Sequence, residues 1–427
     1  MILLLALGAS CGDDDAAPCP PPDNEGSCTR AADCAEGEVC GSDGDALACR
    51  GATGAPSGAA CTAATDCATG LCLVSGRCTE PCGDETDCGA GERCAAHWTL
   101  RSATTVTTCA PKASLPALAA AALDPASAVS LPAAPADAHQ ILVPVCADPP
   151  PPLRLIGGSP LYDVTALGPS TPAPVAAFYV PYPAALTVVL PGGPAYTDWD
   201  REHTVVFESP ARFERWVFAA GSGARLDVDL FLVGVDEPVA ATFDPLRAAL
   251  AAAGLELGEL RFRPVTGAPA ERLAVLDGDR GRLPELAELH GLGAGLPPGL
   301  PVFLVRHVDY YLGLTGGVPI PLAMPGAPGA GVVVGADDAG DALGLVLAHE
   351  VGHALGLFHP TESDGSTREP LPDTPRCTDD ADGDGTFAPD ECTGAGAENL
   401  MFWSLERATP ALSANQGAVV RTAPILR

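Results

Sequence analysis

An eleven-residue run in the last quarter of the chain holds three histidines and a glutamate at a spacing that suits metal-dependent chemistry. It extends from His349 to His359 with the pattern HExxHxxGxxH. His349 and His353 are four residues apart, so a helix would place both imidazoles on one face. Gly356 would let the chain leave that helix at positive φ, which brings His359 back as a third ligand. Three imidazoles suit a zinc ion whose fourth position stays open, as in catalytic zinc sites.

Glu350 directly follows the first histidine and is a candidate general base. Zinc lowers the pKa of a bound water to about 7, so a neighbouring carboxylate can take its proton. The same carboxyl group could then donate that proton to a leaving amine. These residues predict hydrolysis of a protein or peptide substrate by water, without a covalent enzyme intermediate.

Two features downstream of the histidines extend the pattern. The tripeptide Asp373–Pro375 reads DTP and is followed by a cysteine, and Asn399–Met401 reads N-x-M. With them, the chain resembles the pappalysin branch of the metzincin zinc proteases, closely over residues 341–404 and more weakly over 224–427. The resemblance implies that Met401 forms a structural turn beneath the metal.

The chain departs from that family at two positions. Pro360 follows the third histidine, where pappalysins usually have Thr, and Trp403 stands where many metzincins have Tyr. An indole can donate a hydrogen bond but cannot act as a tyrosinate ligand. Matrixins, the second family considered, usually have Ser at the position of Pro360.

The elements that must position these residues predict an α+β fold for residues 223–427. The resemblance implies a metzincin catalytic domain, with a twisted mixed sheet, helices and a loop-rich lower half. Asp341 is expected to cap the zinc helix, and Ser413 and Gln416 to form a capping box that opens a final helix. The other expected elements are strands at 226–235, 260–265, 300–308 and 331–334 and a helix at 245–253.

A second candidate metal site lies in the acidic loop, defined here as residues 380–391. Its spacing D-x-D-x-D-G-x5-E is that of a calcium-binding loop. Cys377 and Cys392 bracket it and are a candidate disulfide, while helices are not expected on either side. The candidate calcium ligands are Asp380, Asp382, Asp384, Thr386 and Glu391.

Cysteine content and charge restrict the compartment and the partners. The chain has 17 cysteines among 427 residues and a net charge of −31. So many cysteines without CxxC pairs indicate disulfides and an oxidising compartment. The charge argues against binding to nucleic acid or to anionic membrane surfaces.

The amino-terminal residues 1–11 resemble a bacterial lipoprotein signal. A short apolar run ends in Gly8-Ala9-Ser10-Cys11. Cys11 is the candidate lipidation site, which predicts a lipid-anchored protein of the bacterial cell envelope; plain secretion and an apolar start that is not a signal are the alternatives. The apolar run is too short to cross a membrane, so the only membrane contact expected is the lipid anchor.

Four further regions are expected before or around these sites. Residues 19–109 contain three four-cysteine modules held by disulfides, and residues 110–152 form an Ala/Pro-rich linker. Residues 153–222 form a β-rich accessory domain or a pro-segment, and both alternatives stay open. Cys146 could pair with Cys19. The modules are either spacers or binding modules for a surface partner, so the alternative function is a non-catalytic surface-binding lipoprotein.

Overall fold

The computed structural model describes residues 28–42, 46–100, 104–132, 135, 137–144, 152–157, 161–163, 188–190, 203–276, 283–327, 329–365, 369 and 371–427. The lipoprotein-like signal at residues 1–11 and the expected pair Cys19–Cys146 lie outside these residues. Within them, no helix is both long and apolar enough to span a bilayer.

Three disulfide modules open the described part of the chain. In each, the first cysteine pairs with the third and the second with the fourth. The disulfides are Cys28–Cys40, Cys34–Cys49, Cys61–Cys72, Cys67–Cys78, Cys82–Cys94 and Cys88–Cys109. The first module holds the hairpin of β1 (Glu38–Ser42) and β2 (Leu47–Gly51), and the third holds that of β3 (Glu92–His97) and β4 (Val106–Pro111).

The aspartate before the second cysteine of each module has a shared structural role. Asp33 accepts hydrogen bonds from the backbone N–H groups three and four residues earlier in the chain. Asp66 and Asp87 do the same in their own modules. Each carboxylate therefore closes a short 3-10 turn, because it satisfies backbone donors that no helix or strand pairs.

The second and third modules pack against the remainder of the chain, through Val74 and Trp98 respectively. Val74 and Trp98 belong to a buried cluster with Phe231 on one face of a sheet described below. The Ser75 hydroxyl donates to the Ala294 carbonyl, and Arg263 donates to the Ser75 carbonyl at 2.7 Å. The modules are thus joined to the fold by both apolar and polar contacts.

The segment 110–152, expected to be a linker, instead contains two strands of a six-stranded sheet. β5 (Ala119–Leu131) and β6 (Ala138–Pro144) both pair antiparallel with the long strand β10 (His203–Ala219). Alanine has a low strand propensity, so the composition gave no strand signal, and pairing with a strand distant in sequence overrides that preference.

The rest of this sheet falls in residues 153–222, where β-rich structure is expected. Its other strands are β7 (Pro152–Gly157), β8 (Leu161–Asp163) and β9 (Val188–Leu190). The strand order is β8-β7-β10-β6-β9, and β5 lies beside β10 off this path. Whether this region is an accessory domain or a pro-segment stays open.

A five-stranded mixed sheet forms the centre of residues 225–335. Its order is β12-β11-β14-β17-β16; the first four strands are parallel and β16 is an antiparallel edge strand. The bounds are β11 Arg225–Val233, β12 Glu256–Val265, β14 Leu300–Val305, β16 Gly313–Thr315 and β17 Val332–Gly335. A separate two-stranded pair joins β13 (Val275–Leu276) to β15 (His307–Val308). The expected strands at 226–235, 260–265 and 331–334 are confirmed, while the one expected at 300–308 divides into β14 and β15.

Helices cover both faces of this sheet, which explains the apolar run at residues 230–233 in the second half of β11. Leu230 belongs to the cluster that contains α1 and α5, whereas the adjacent Phe231 belongs to the cluster of α2 and α3. Alternate side chains of a strand point to opposite faces, so a strand covered on both sides is apolar throughout. The helices are α1 Asp244–Ala252, α2 Ala268–Leu273, α3 Leu283–Gly291, α4 Ala336–Ala339, α5 Leu343–Ala354 and α6 Ala414–Val420.

The two expected helix caps differ in outcome. Asp341 does not cap α5, because it lies within a 3-10 turn (Gly340–Ala342) and no side chain caps the helix at Ala342. The capping box of α6 is confirmed. The Ser413 hydroxyl accepts from the Gln416 N–H at 3.1 Å, and the Gln416 side chain accepts from the Ser413 N–H at 2.8 Å.

Candidate metal centre

Helix α5 and the turn that follows it bring three histidines to one point. His349 and His353 lie on α5, and Gly356 has a φ of 106°, in the left-handed region that glycine tolerates. The Nε2 atom of His359 is then 3.1 Å from that of His349 and 3.0 Å from that of His353. The Nε2 atoms of His349 and His353 are 3.1 Å apart.

The other ring nitrogen of each histidine is committed to an acceptor. Nδ1 of His349 is 2.8 Å from the Leu400 carbonyl, and Nδ1 of His353 is 2.7 Å from the Leu357 carbonyl. A carbonyl oxygen only accepts, so both Nδ1 atoms carry the proton and both Nε2 atoms hold a lone pair in the neutral ring.

The third ring is oriented by a carboxylate. Nδ1 of His359 is 2.9 Å from a carboxylate oxygen of Glu362, three residues further along the chain. Outer partners of this kind fix the ring orientation of histidines that bind metals. The HxxE spacing is a sequence signal that our sequence analysis missed.

The environment favours neutral imidazoles. Burial lowers the pKa of His349 to about 3, with the nearby His359 adding to the effect. Burial also lowers the pKa of His353 well below its usual value, and His349 and His359 lower it further. Neutral imidazole is the form that binds a metal ion.

The donor set fits zinc. Three imidazole Nε2 atoms converge within 3.1 Å of one another, so all three could bind one cation at the same time. Nitrogens bound at about 2.0–2.1 Å to a tetrahedral zinc are roughly 3.3 Å apart, close to this spacing. His349, His353 and His359 are therefore the residues that could hold the ion.

Glu350 lies on the same helix and is buried against the edge strand β16. The Thr315 hydroxyl is 2.6 Å from a carboxylate oxygen of Glu350. A Cβ at Gly313 would lie 2.6 Å from the Glu350 Cγ, so the strand approaches this closely only because that residue is glycine. Burial raises the pKa of Glu350 to about 7, although the hydrogen bond from Thr315 opposes the shift. Neither β16 residue gave a signal in the sequence.

The turn that contains Met401 packs against helix α5 at Gly352. The Met401 side chain is fully buried, and a Cβ at Gly352 would lie 2.3 Å from its Sδ atom. The Asn399 side chain closes the turn by accepting from the Met401 N–H at 2.9 Å. The intervening Leu400 supplies the carbonyl that holds His349, so the turn contacts one face of the centre and orients one of its rings.

The DTP tripeptide positions the final helix. Asp373 accepts hydrogen bonds from the Ser413 hydroxyl and from the Asn415 N–H, both at 2.9 Å. Gln416 of α6 donates to Asn399 at 3.2 Å and to Glu369 at 2.9 Å. The tripeptide is therefore connected to the Met401 turn through α6.

Trp403 points away from the histidines. Its indole N–H donates to the Phe387 carbonyl at 2.8 Å, and its ring packs beside Phe402 and the Cys377–Cys392 disulfide. The indole donor is thus engaged within the loop-rich half. Pro360 is buried directly after the third histidine.

The structure places the acidic loop inside the Cys377–Cys392 disulfide, and its carboxylates accept backbone hydrogen bonds. Glu391 reaches across the loop to the N–H groups of Ala381 and Asp382, at 2.8 and 3.2 Å. The three aspartates each accept an N–H from within the loop, and Thr386 is one of those donors. The two ends of the loop therefore meet, and no helix flanks it among the described residues 371–413.

Comparisons with known proteins give structural similarity but no family. No protein-family model matches the chain, and no curated protein matches it. An archaemetzincin from Methanopyrus kandleri is 15% identical with a TM-score of 0.29, over 47% of this chain and 96% of that one. Metalloproteinase-II from Bacteroides fragilis is 14% identical with a TM-score of 0.25, over 51% of this chain and 63% of that one. TM-scores this low carry no argument, so the function proposed below rests on this chain's own residues.

Proposed function

We propose that this chain is a zinc-dependent endopeptidase of the metzincin type, similar to the pappalysins. The observation that carries the proposal is that the three Nε2 atoms lie within 3.1 Å of one another, while each ring is oriented through its Nδ1 atom. A buried carboxylate, Glu350, lies beside them. A coincidental cluster of surface histidines would have neither the oriented rings nor the adjacent base.

The residues divide the reaction between them. Zinc, when bound by the three imidazoles, supplies a Lewis acid that polarises a carbonyl group and acidifies water. Glu350 takes a proton from the attacking water at a carboxylate oxygen and later donates it to the leaving amine. Thr315 holds the carboxyl group in place through its hydroxyl. Met401 has a structural role, because it packs against Gly352 of the helix that carries two of the histidines.

The edge strand offers a place for an extended substrate. β16 is the last strand of its sheet among the described residues, so one side of its backbone has no strand partner. Extended peptides bind by adding to such edges through main-chain hydrogen bonds. Because Gly313 and Thr315 both contact Glu350, a peptide on this edge would bring its backbone close to the base.

We also propose a cell-envelope or extracellular location and a lipid anchor at Cys11. Each cysteine that the structure describes is in a disulfide, which supports an oxidising compartment. The lipidation itself rests on the sequence of residues 1–11 alone. Mass analysis of the mature amino terminus tests it, because a diacylglyceryl-modified Cys11 and an unmodified start differ in mass.

Calcium binding by the acidic loop is a further proposal, supported by the ligand spacing and by Glu391 meeting the start of the loop. Titration of calcium into the zinc-loaded protein, with the double variant Asp382→Ala plus Asp384→Ala as control, tests it. Equal calorimetric heats for both proteins would refute it.

The decisive test of the peptidase function compares the wild type with Glu350→Gln. Both proteins should bind one equivalent of zinc by elemental analysis, since glutamine keeps the side-chain shape. The variant should lose at least about a hundredfold in cleavage of quenched peptides, because general base catalysis contributes that much. Equal cleavage by both would refute this mechanism. A wild type that binds zinc but cleaves nothing would favour the non-catalytic surface-binding alternative.

A further inference from the structure

The loop that leads into β16 exposes three consecutive large apolar side chains. Tyr310 is 76% exposed, and Tyr311 and Leu312 are each 44% exposed. The other exposed large hydrophobic residues in the described part of the chain stand singly: Leu100, Leu118, Val239 and Val275. Single exposed apolar residues need no explanation, whereas a contiguous group marks an interaction site.

Backbone strain coincides with this group. Tyr310 has a φ of 67° and is the one residue other than glycine with a positive φ among those described. A bulky side chain adopts this left-handed conformation only at a cost in energy, and asparagine or glycine would adopt it more easily. Such strain gathers at functional sites. The position therefore indicates a use for an aromatic side chain there.

The group adjoins the candidate metal centre. The Leu312 carbonyl accepts from the Gly335 N–H at 2.9 Å, which anchors the loop to the end of β17. The next residue, Gly313, is the one whose missing side chain leaves room for Glu350. Consecutive Cα atoms are about 3.8 Å apart. A peptide lying along β16 would therefore extend directly over the exposed side chains.

We propose that Tyr310, Tyr311 and Leu312 form an apolar rim that binds a large aliphatic or aromatic side chain of an extended peptide substrate. The inference rests on the peptidase function proposed above and names its substrate class. Continuity with the edge strand and with Glu350 favours a peptide as the occupant. The net charge of −31 argues against an anionic membrane surface.

A rim variant and a matched control test this inference. The rim variant combines Tyr310→Asn, Tyr311→Ser and Leu312→Ser, and asparagine suits the left-handed backbone at its position. The control is Leu118→Ser, which removes a side chain that is 59% exposed and lies beside β10. Peptides that differ only in Phe or Ser, placed at each position near the cleaved bond, provide the comparison.

The wild type and the control should prefer the Phe peptide at one position by about tenfold or more in kcat/KM, the usual effect of an apolar pocket. The rim variant should lose most of that preference, through a higher KM for the Phe peptide. A rim variant that retains the full preference overturns the inference. A rim variant that keeps the preference but no longer self-associates also overturns the inference, because the rim would then bind a second copy of this chain.

A binding measurement separates failure of the rim from failure of the peptidase. Fluorescence anisotropy of the same labelled peptides with zinc-loaded Glu350→Gln needs no hydrolysis. A preference for the Phe peptide that disappears when the rim substitutions are added supports the rim even if the wild type cleaves nothing. Equal affinity for the Phe and Ser peptides overturns the rim and leaves the peptidase proposal standing.

Discussion

Replacement of Gly352 by alanine tests whether the Met401 turn fixes the metal centre. Alanine favours a helix over glycine by about 1 kcal/mol, so the exchange alone would stabilise α5. A Cβ at Gly352 would, however, lie 2.3 Å from the Met401 Sδ and 3.1 Å from its Cε. Met401 is fully buried, so a shift of its side chain would disturb the atoms packed around it. Overpacking of this kind costs about 1–3 kcal/mol.

The two effects leave a net destabilisation of roughly 0–2 kcal/mol from these ranges. A second consequence is larger. Displaced Met401 would move its neighbour Leu400, whose carbonyl holds His349. Loss of such an outer partner typically costs 10–100-fold in metal affinity. We therefore expect zinc affinity to fall by at least about tenfold, by the same principle, while stability changes little.

Competition with a fluorescent zinc chelator and thermal unfolding of the metal-free protein measure the two effects separately. Gly291→Ala on α3 is the matched control, because a Cβ at Gly291 would have nothing within 4 Å. The control should leave zinc affinity unchanged. Adding Met401→Ala to Gly352→Ala should recover part of the affinity by removing the clash. If Gly352→Ala binds zinc as tightly as the wild type, the inferred coupling between the turn and His349 is wrong.

Substitutions at three further positions have defined expected results. Thr315→Val removes the hydroxyl donor of Glu350 and should lower kcat about tenfold with zinc content unchanged, whereas Thr315→Ser should keep both. Burial raises the pKa of Glu369 to about 7, so the wild type should lose up to about 3 kcal/mol of stability as pH rises from about 4.5 to 7. Chemical unfolding of Glu369→Gln should lack that loss, and an equal slope in both proteins would contradict it. Asp373→Ala removes the acceptor of the Asn415 N–H and should cost about 1 kcal/mol in unfolding free energy; an unchanged melting temperature would refute its capping role.

The histidine cluster could be predicted from the sequence because its geometry is local. An i, i+4 pair on a helix and a glycine at the turn fix the directions of three side chains within eleven residues. The capping box at Ser413 is local for the same reason. The Thr315 contact could not be predicted, since a short edge strand reaches Glu350 only through the sheet.

Two predictions from local sequence were wrong, one because of pairing with a distant strand and one because of a 3-10 turn. Residues 119–131 are rich in alanine and appeared to be a linker, but β10 supplies a partner along nearly their whole length. Asp341 has the residue type of a helix cap, but it lies in the middle of the 3-10 turn that leads into α5. Both predictions failed because the local preference of a residue contributes less free energy than long-range strand pairing or the path by which the chain enters a helix.

The contacts of the second and third disulfide modules with the central sheet have a practical corollary. A shortened protein that starts after the modules would leave Phe231 without Val74 and Trp98 and would strip Arg263 of its Ser75 acceptor. Such a fragment would expose an apolar patch to water and should aggregate during purification. Recombinant production therefore calls for the disulfide modules and the central sheet to be kept in one chain, in a host that oxidises thiols.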